Sequence, residues 1–98
     1  MSANNSNNAI PQPDLNILVF PCNFPFKVMG LNTPEFADTM LQVVQQFVPE
    51  IAPAAMRSAV SAKGNYLALT FTFEAQSRQQ LDALYLACTS HPLVKVVY

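Results

Sequence analysis

The sequence predicts a single α+β domain whose elements run in the order strand, helix, strand, strand, helix, strand. Three observations indicate this order: two segments with helical apolar spacing, a strictly alternating run from Leu67 to Glu74, and a β-branched end from Val94 to Tyr98. The chain has 98 residues, of which 51% are hydrophobic and 11% charged. That composition and length predict one packed domain.

The first residues differ in composition from the rest of the chain. Residues 1–14 are rich in Asn and contain Pro11 and Pro13, so we expect a disordered tail there and a domain over residues 15–98. Between Leu15 and Pro25 the chain is apolar but interrupted by proline. We expect this stretch to form a turn or a lead-in over the core, and not a long helix or a central strand.

The first strand and the first helix follow directly. Phe26–Met29 alternates apolar and polar positions, and Gly30 is expected to end this strand. Thr33, Pro34 and Glu35 are typical of a helix start, with a hydroxyl cap, a proline in the first turn and a carboxylate near the positive end of the dipole. The helix is predicted to end near Val48, and its apolar stripe consists of Phe36, Met40, Val43, Val44 and Phe47.

A hairpin and a second helix complete the pattern. Met56–Ala62 and the alternating run Leu67–Glu74 flank the turn sequence Lys63-Gly64-Asn65. Ser77 and Gln80 have the spacing of a capping box, in which Gln80 reaches back to the cap residue. The inner stripe of the second helix is predicted to be Leu81, Leu84, Tyr85 and Cys88, and Pro92 marks the end of the helix.

This order of elements predicts a ferredoxin-like fold, a four-stranded antiparallel sheet with two helices on one face. The residues predicted to face the helices are Phe26, Val28, Leu67, Leu69, Phe71 and Phe73. The residues predicted on the uncovered face are Lys27, Met29, Ala68, Thr70, Thr72 and Val97. Because no helix remains to cover them, we expect this set to be an interaction face, with a second copy of the chain as one occupant.

Composition and charge exclude several functions. The net charge of −1 argues against nucleic acid as the main partner, and Phe26, Phe71 and Phe73 are predicted on the helix side, where they cannot stack on bases. The two cysteines, Cys22 and Cys88, are separated by 65 residues, and His91 is the single histidine of the sequence, so a tetrahedral Cys/His site cannot be assembled and no metal or cofactor is expected. No apolar run approaches the length of a membrane span.

One loop is a candidate ligand site. Gly30, Leu31, Asn32 and Thr33 join the first strand to the first helix, whose free amide groups could receive an anion. The same loop lacks the paired cysteines of metal chaperones and the arginine of acyl phosphatases with this fold. Cys22 and His91 are not brought together by anything in the sequence, so no catalytic residues are predicted.

Several short strings resemble a known family. Phe20-Pro21, Lys27-Val28-Met29-Gly30, the string from Ser61 to Tyr66 and Leu84-Tyr85 resemble the YbeD-like family of small bacterial proteins of unknown function. The resemblance spans residues 15–98. It implies an ACT-like version of the ferredoxin-like fold, with small ligands near the loop Gly30–Thr33 and regulation in trans.

Together, these observations predict a non-enzymatic, cytoplasmic regulatory domain that binds a small metabolite or a partner such as an enzyme, and that forms a homodimer. An RNA-binding or nucleic-acid accessory module of the same fold is the alternative. An unrecognised hydrolase is a third possibility, and it would require a pocket with convergent polar groups and a perturbed titratable residue.

Overall fold

A computed structural model describes residues 18–98, and the predicted tail over residues 1–14 lies outside them. The elements are β1 (Cys22–Leu31), α1 (Pro34–Phe47), β2 (Met56–Val60), β3 (Tyr66–Ala75), α2 (Arg78–Thr89) and β4 (Val94–Val97), with a short 3₁₀ turn at Pro53–Ala55. The strands form one antiparallel sheet in the order β2-β3-β1-β4. This arrangement confirms the ferredoxin-like prediction. Within residues 18–98 no helix has the length and apolar character needed to cross a membrane.

The core lies between the sheet and the two helices. All six strand residues predicted to face the helices are buried, and Phe26 and Phe71 have no exposed surface. From the helices, the buried side chains that meet them are Phe36, Met40, Val44, Leu81, Leu84 and Cys88. The helices are also joined by a hydrogen bond of 2.8 Å, which Gln80 Nε2 in α2 donates to the carbonyl oxygen of Phe47 in α1.

The first strand is longer than predicted. β1 begins at Cys22 and lies between β3 and β4, so the prediction that residues 15–25 form no central strand was wrong, and β1 continues past Gly30 to Leu31. The carbonyl of Lys27 accepts a hydrogen bond from the amide of Tyr98, on the β4 side of the strand. Pro25 lies two residues earlier, so its nitrogen faces the same side, where β4 has no residue to pair with it. Proline therefore removes no hydrogen bond from the sheet here.

The two helix starts differ from the expected caps. The Thr33 side chain makes no capping hydrogen bond, so the predicted hydroxyl cap of α1 is wrong, although Pro34 does open the helix. At α2, Ser77 Oγ accepts from the amide of Gln80 as predicted. Gln80 Oε1 accepts a hydrogen bond from the backbone amide of Gln76, one residue before the expected partner Ser77. The side-chain nitrogen of Gln80 is directed to α1 at the same time.

Candidate functional site

The uncovered face of the sheet carries a row of polar side chains that runs across three strands. Arg57 of β2 lies opposite Thr70 of β3, and Thr70 lies opposite Lys27 of β1. Residues directly opposite in an antiparallel sheet point to the same face, with Cβ atoms about 5 Å apart. Arg57, Thr70 and Lys27 therefore form one continuous line, which we call the cationic row.

An apolar line runs beside the cationic row, one step along the strands. Ala59, Ala68, Met29 and Val96 are paired in turn across β2, β3, β1 and β4, and we call them the apolar row. The prediction of Val97 on this face was wrong. Val97 lies opposite the buried Val28 and packs against the core, so Val96 takes its place on the uncovered face.

The two ends of the uncovered face have different chemistry. Beyond the apolar row, Leu31 and Tyr66 lie opposite each other and are 48% and 39% exposed. Beyond the cationic row on the other side, β3 continues with Thr72 and Glu74, both exposed. Along β3 the face therefore changes from apolar at the hairpin end, through a cationic centre, to acidic at the opposite end.

A concavity of about 600 Å³ lies on the central part of this face, and its lining includes Lys27, Arg57, Ala59, Ala68, Thr70 and Tyr98. The short side chains of Ala59 and Ala68 and the longer ones around them account for the depression. The hydroxyl of Tyr98 lies 3.7 Å from Met29 Sδ. The backbone oxygen of Tyr98 accepts a hydrogen bond from the hydroxyl of Tyr85, which belongs to α2 on the helix side of the sheet.

Among the residues that the structure describes, none forms an ion pair with the two cations of the concavity. Within residues 18–98, neither Lys27 nor Arg57 has a carboxylate within 4.0 Å, and the ion pair found there is Arg78–Asp82 on α2 at 3.5 Å. Glu74 shares the face with them but lies four residues along β3 from Thr70. At about 3.4 Å per residue this separation is roughly 14 Å, beyond a Debye length at physiological salt. The charged side chains that line the concavity are therefore both cations.

The loop predicted as a ligand site lies at the hairpin end of the sheet and is held by structural contacts. A Cβ on Gly30 would lie 2.7 Å from Cζ of Phe36 and closer still to the carbonyl oxygen of Leu93. The amide of Asn32 donates to the carbonyl of Asn65, and Asn32 Nδ2 donates to that of Gly64. These contacts explain why glycine and asparagine occur here, and ligand binding at Gly30–Thr33 stays a prediction.

The cysteines and the histidine lie apart from the concavity. Cys88 is fully buried, and burial raises the pKa of its thiol to about 11. Burial also raises the pKa of the Tyr85 hydroxyl. Cys22 begins β1 and His91 precedes β4 at the opposite end of the sheet, where His91 Nδ1 accepts from the amide of Leu93. In the described part of the chain, no group of three or more His, Cys, Asp or Glu side chains could hold a metal ion.

The structure brings together some of the predicted face and adds residues that the sequence did not reveal. Lys27, Thr70 and Ala68 line the concavity, whereas Met29 borders it through Tyr98. Arg57, Ala59 and Tyr98 were missed. The turn at Gly64 could have placed Arg57 and Ala59, because counting outward from a hairpin turn gives their cross-strand partners in β3.

Comparisons with known proteins assign the chain to a family. Residues 16–98 match the family model described as "Protein of unknown function (DUF493)". A UPF0250 protein of Bordetella pertussis is 49% identical over 87% of this chain and 93% of its own length. A UPF0250 protein of Ralstonia nicotianae is 51% identical over 87% of this chain and 88% of its own. The chain belongs to the DUF493/UPF0250 family of small bacterial proteins of unknown function, the same family as the YbeD-like proteins that its sequence strings resemble.

Proposed function

We propose that this protein is a non-catalytic binding domain that holds the anionic group of a small metabolite in the concavity of the uncovered sheet face. The observation that supports it is the cationic row, in which Arg57 and Lys27 flank the hydroxyl of Thr70 in register. A guanidinium, an ammonium and a hydroxyl on one line can all donate hydrogen bonds to carboxylate or phosphate oxygens.

The strength of such a site follows from its exposure. Lys27 and Arg57 are exposed, so an ion pair between the ligand and either side chain contributes about 0–1 kcal/mol to the free energy of binding. A bidentate contact from Arg57 would add to this. Three donors acting together give about 2–4 kcal/mol, which corresponds to a dissociation constant of roughly 1 to 30 mM. This range suits a sensor of an abundant metabolite.

A regulatory role follows from where the ligand is held. Occupation of the concavity neutralises the two cations and covers part of the face, so a partner protein would meet a different surface in the bound and free states. In this proposal the domain acts in the cytoplasm and regulates in trans, by contact with a partner such as an enzyme. The predicted loop Gly30–Thr33 would then contribute to partner contact or ligand contact at the hairpin end.

The test is anion binding measured by NMR titration and calorimetry at low salt with two probes, citrate and inorganic pyrophosphate. We expect chemical-shift changes centred on Thr70 and Ala68. Lys27→Gln and Arg57→Gln should each weaken binding about 2- to 5-fold, because each removes one exposed ion pair of up to about 1 kcal/mol.

Lys95→Gln is the matched control. Lys95 is also exposed, but it lies in the irregular pairing of β4 with β1 and not in the lining of the concavity. We expect this variant to bind both probes as the parent does. The proposal fails if neither anion binds, or if Lys95→Gln weakens binding as much as Arg57→Gln.

Self-association through the same face is a second candidate, favoured by the exposed apolar side chains of Leu31, Tyr66 and Val96. An isologous dimer would cover these residues and the apolar row in both copies. We expect Met29→Glu to lower the mass in sedimentation without unfolding the domain. A monomeric parent, or a mutant with the mass of a dimeric parent, contradicts this candidate.

Nucleic-acid binding, the other candidate from the sequence, has weaker support. Phe26, Phe71 and Phe73 are buried in the core, so they cannot form a stacking platform for bases. Titration with a single-stranded oligonucleotide under the same conditions distinguishes nucleic acid from a small metabolite as the ligand. Tight binding that weakens steeply with added salt would favour nucleic acid over a small metabolite.

A further inference from the structure

We propose that the ligand of the concavity is an amphipathic anion, whose head group lies on the cationic row and whose unbranched apolar tail lies across the apolar row towards Leu31 and Tyr66. This inference rests on the proposed function and names the chemical class of its ligand. It commits to a single molecule in solution as the occupant.

The first step is the adjacency of the two rows. Thr70 and Ala68 are two residues apart on β3, so the cationic row and the apolar row are about 7 Å apart. Tyr66 and Leu31 lie about 7 Å further in the same direction. An anion on the cationic row therefore has an apolar surface about 14 Å long beside it.

The second step is the shape of the concavity. Its lining includes both Lys27 and Arg57 from the cationic row and both Ala59 and Ala68 from the apolar row. A single depression thus spans the boundary between the charged and the apolar parts. The short alanine side chains leave room above the strands for a slender chain, whereas larger residues there would fill the depression.

The third step is that the tail has one favourable direction. Towards the other end of β3, the residues after Thr70 on this face are Thr72 and Glu74, which are polar and acidic. A tail lying there would cover hydroxyl and carboxylate groups that require water. Towards the hairpin end it would cover Leu31, Tyr66 and Val96, which are 48%, 39% and 39% exposed. The face therefore orients the ligand.

The experiment is a titration with straight-chain carboxylates, from acetate through butyrate, hexanoate and octanoate to decanoate, each kept below the concentration at which it aggregates. We expect affinity to rise about twofold per added methylene, less than full burial of a methylene would give because the surface is open on one side. The rise should continue through decanoate, because its extended tail is shorter than the apolar surface beside the cationic row. Chemical-shift changes should extend along β3 from Thr70 to Tyr66 as the chain lengthens.

Two variants separate the head from the tail. Ala68→Leu fills the depression under the tail, so it should remove the dependence of affinity on chain length, and pyrophosphate binding, measured beside it, should weaken less than octanoate binding does. Thr72→Leu places the same side chain on the same face beyond the cationic row, and it should leave both measurements unchanged. Should Ala68→Leu fail to fold, as judged by its thermal melt, Met29→Gln replaces it, since it makes the apolar row polar in the same place.

Each outcome decides between the two proposals. Chain-length-independent binding that still requires Arg57 overturns this inference and leaves the proposed function intact. No binding of pyrophosphate or any carboxylate overturns both. Equal binding of octylammonium and octanoate also overturns the inference, because the cationic row should repel an ammonium head. Binding to phosphatidylglycerol vesicles with no binding of free carboxylates would assign the surface to a membrane and count against the single-molecule ligand.

Discussion

The two faces of β3 are formed by alternate residues of one strand, yet they are under different constraints. Leu67, Leu69, Phe71 and Phe73 are buried against the helices, where every change of volume is opposed by close packing. Tyr66, Ala68, Thr70 and Thr72 face away from the helices, and all four are exposed or half-buried. The helix side therefore accounts for the stability of the domain. The uncovered side can vary without unfolding it, and it is where we place binding.

The sharpest test of this comparison is a pair of neighbouring substitutions in β3. Phe71→Ala should lower the free energy of unfolding by about 3–5 kcal/mol, because it leaves a large cavity among buried side chains. Thr72→Ala, one residue later on the other face, should change it by less than about 1 kcal/mol. Denaturant unfolding of both variants measures the difference. A Phe71→Ala effect as small as that of Thr72→Ala would place Phe71 outside the core.

The two glycines extend the comparison to the backbone. Gly30→Ala should cost about 3 kcal/mol, because its Cβ would collide with the carbonyl oxygen of Leu93 and the ring of Phe36. Gly64→Ala should cost about 1–2 kcal/mol for a different reason: Gly64 has a φ of 80° in the hairpin turn, with open space around it.

Gly64→Asn separates the two causes, because asparagine tolerates a positive φ better than alanine does. We expect Gly64→Asn to recover part of the stability that Gly64→Ala loses. Thermal melts of the three variants check this order. If Gly30→Ala proved as stable as the parent, the close packing between β1, α1 and the segment before β4 would be wrong.

The fold could be predicted from the sequence because its signals are local. The alternation in β3 and the apolar stripes of α1 and α2 each lie within one segment, and each was confirmed. Where a local rule depended on a neighbouring element, prediction failed. Pro25 appeared incompatible with a strand, but it is tolerated because β4 does not extend beside it.

The candidate site was predictable only in part because it depends on cross-strand register. Lys27 and Thr70 could be placed on the uncovered face by counting along their own strands, whereas their alignment with Arg57 follows from the pairing of three strands. Val97 was placed on the wrong face because β4 pairs irregularly with β1, between Met29 and Gly30. A shift of one residue reverses the face of every side chain that follows.

A pH titration tests the burial of the helix side without changing its volume. Because burial raises the pKa of Cys88 from 9.0 to about 11, its thiol holds its proton more tightly in the folded state than in the unfolded state. The resulting stabilisation is complete below pH 9.0 and is lost as the pH rises through about 11. The loss should amount to roughly 2–3 kcal/mol.

Cys88→Ala is the comparison protein for this titration. It should be less stable than the parent at neutral pH, yet its stability should fall less between pH 9 and pH 11. The raised pKa of Tyr85 contributes to the fall in both proteins, so the difference between their curves isolates the thiol. Parallel curves for the two proteins over this range would contradict the burial of Cys88.

The smallest stability effect is expected at the centre of the cationic row. Thr70→Val keeps the shape and β-branching of the side chain, so it should change the free energy of unfolding by less than about 0.5 kcal/mol. It removes the hydroxyl between Lys27 and Arg57. Pyrophosphate binding should therefore weaken about 3- to 10-fold, because one hydrogen bond to a charged group is lost. Unfolding and titration of the same sample separate the two effects. If Thr70→Val instead lost stability and kept its affinity for pyrophosphate, Thr70 would be a structural residue of the sheet and not part of the binding site. The roles assigned to the two faces of β3 would then be wrong.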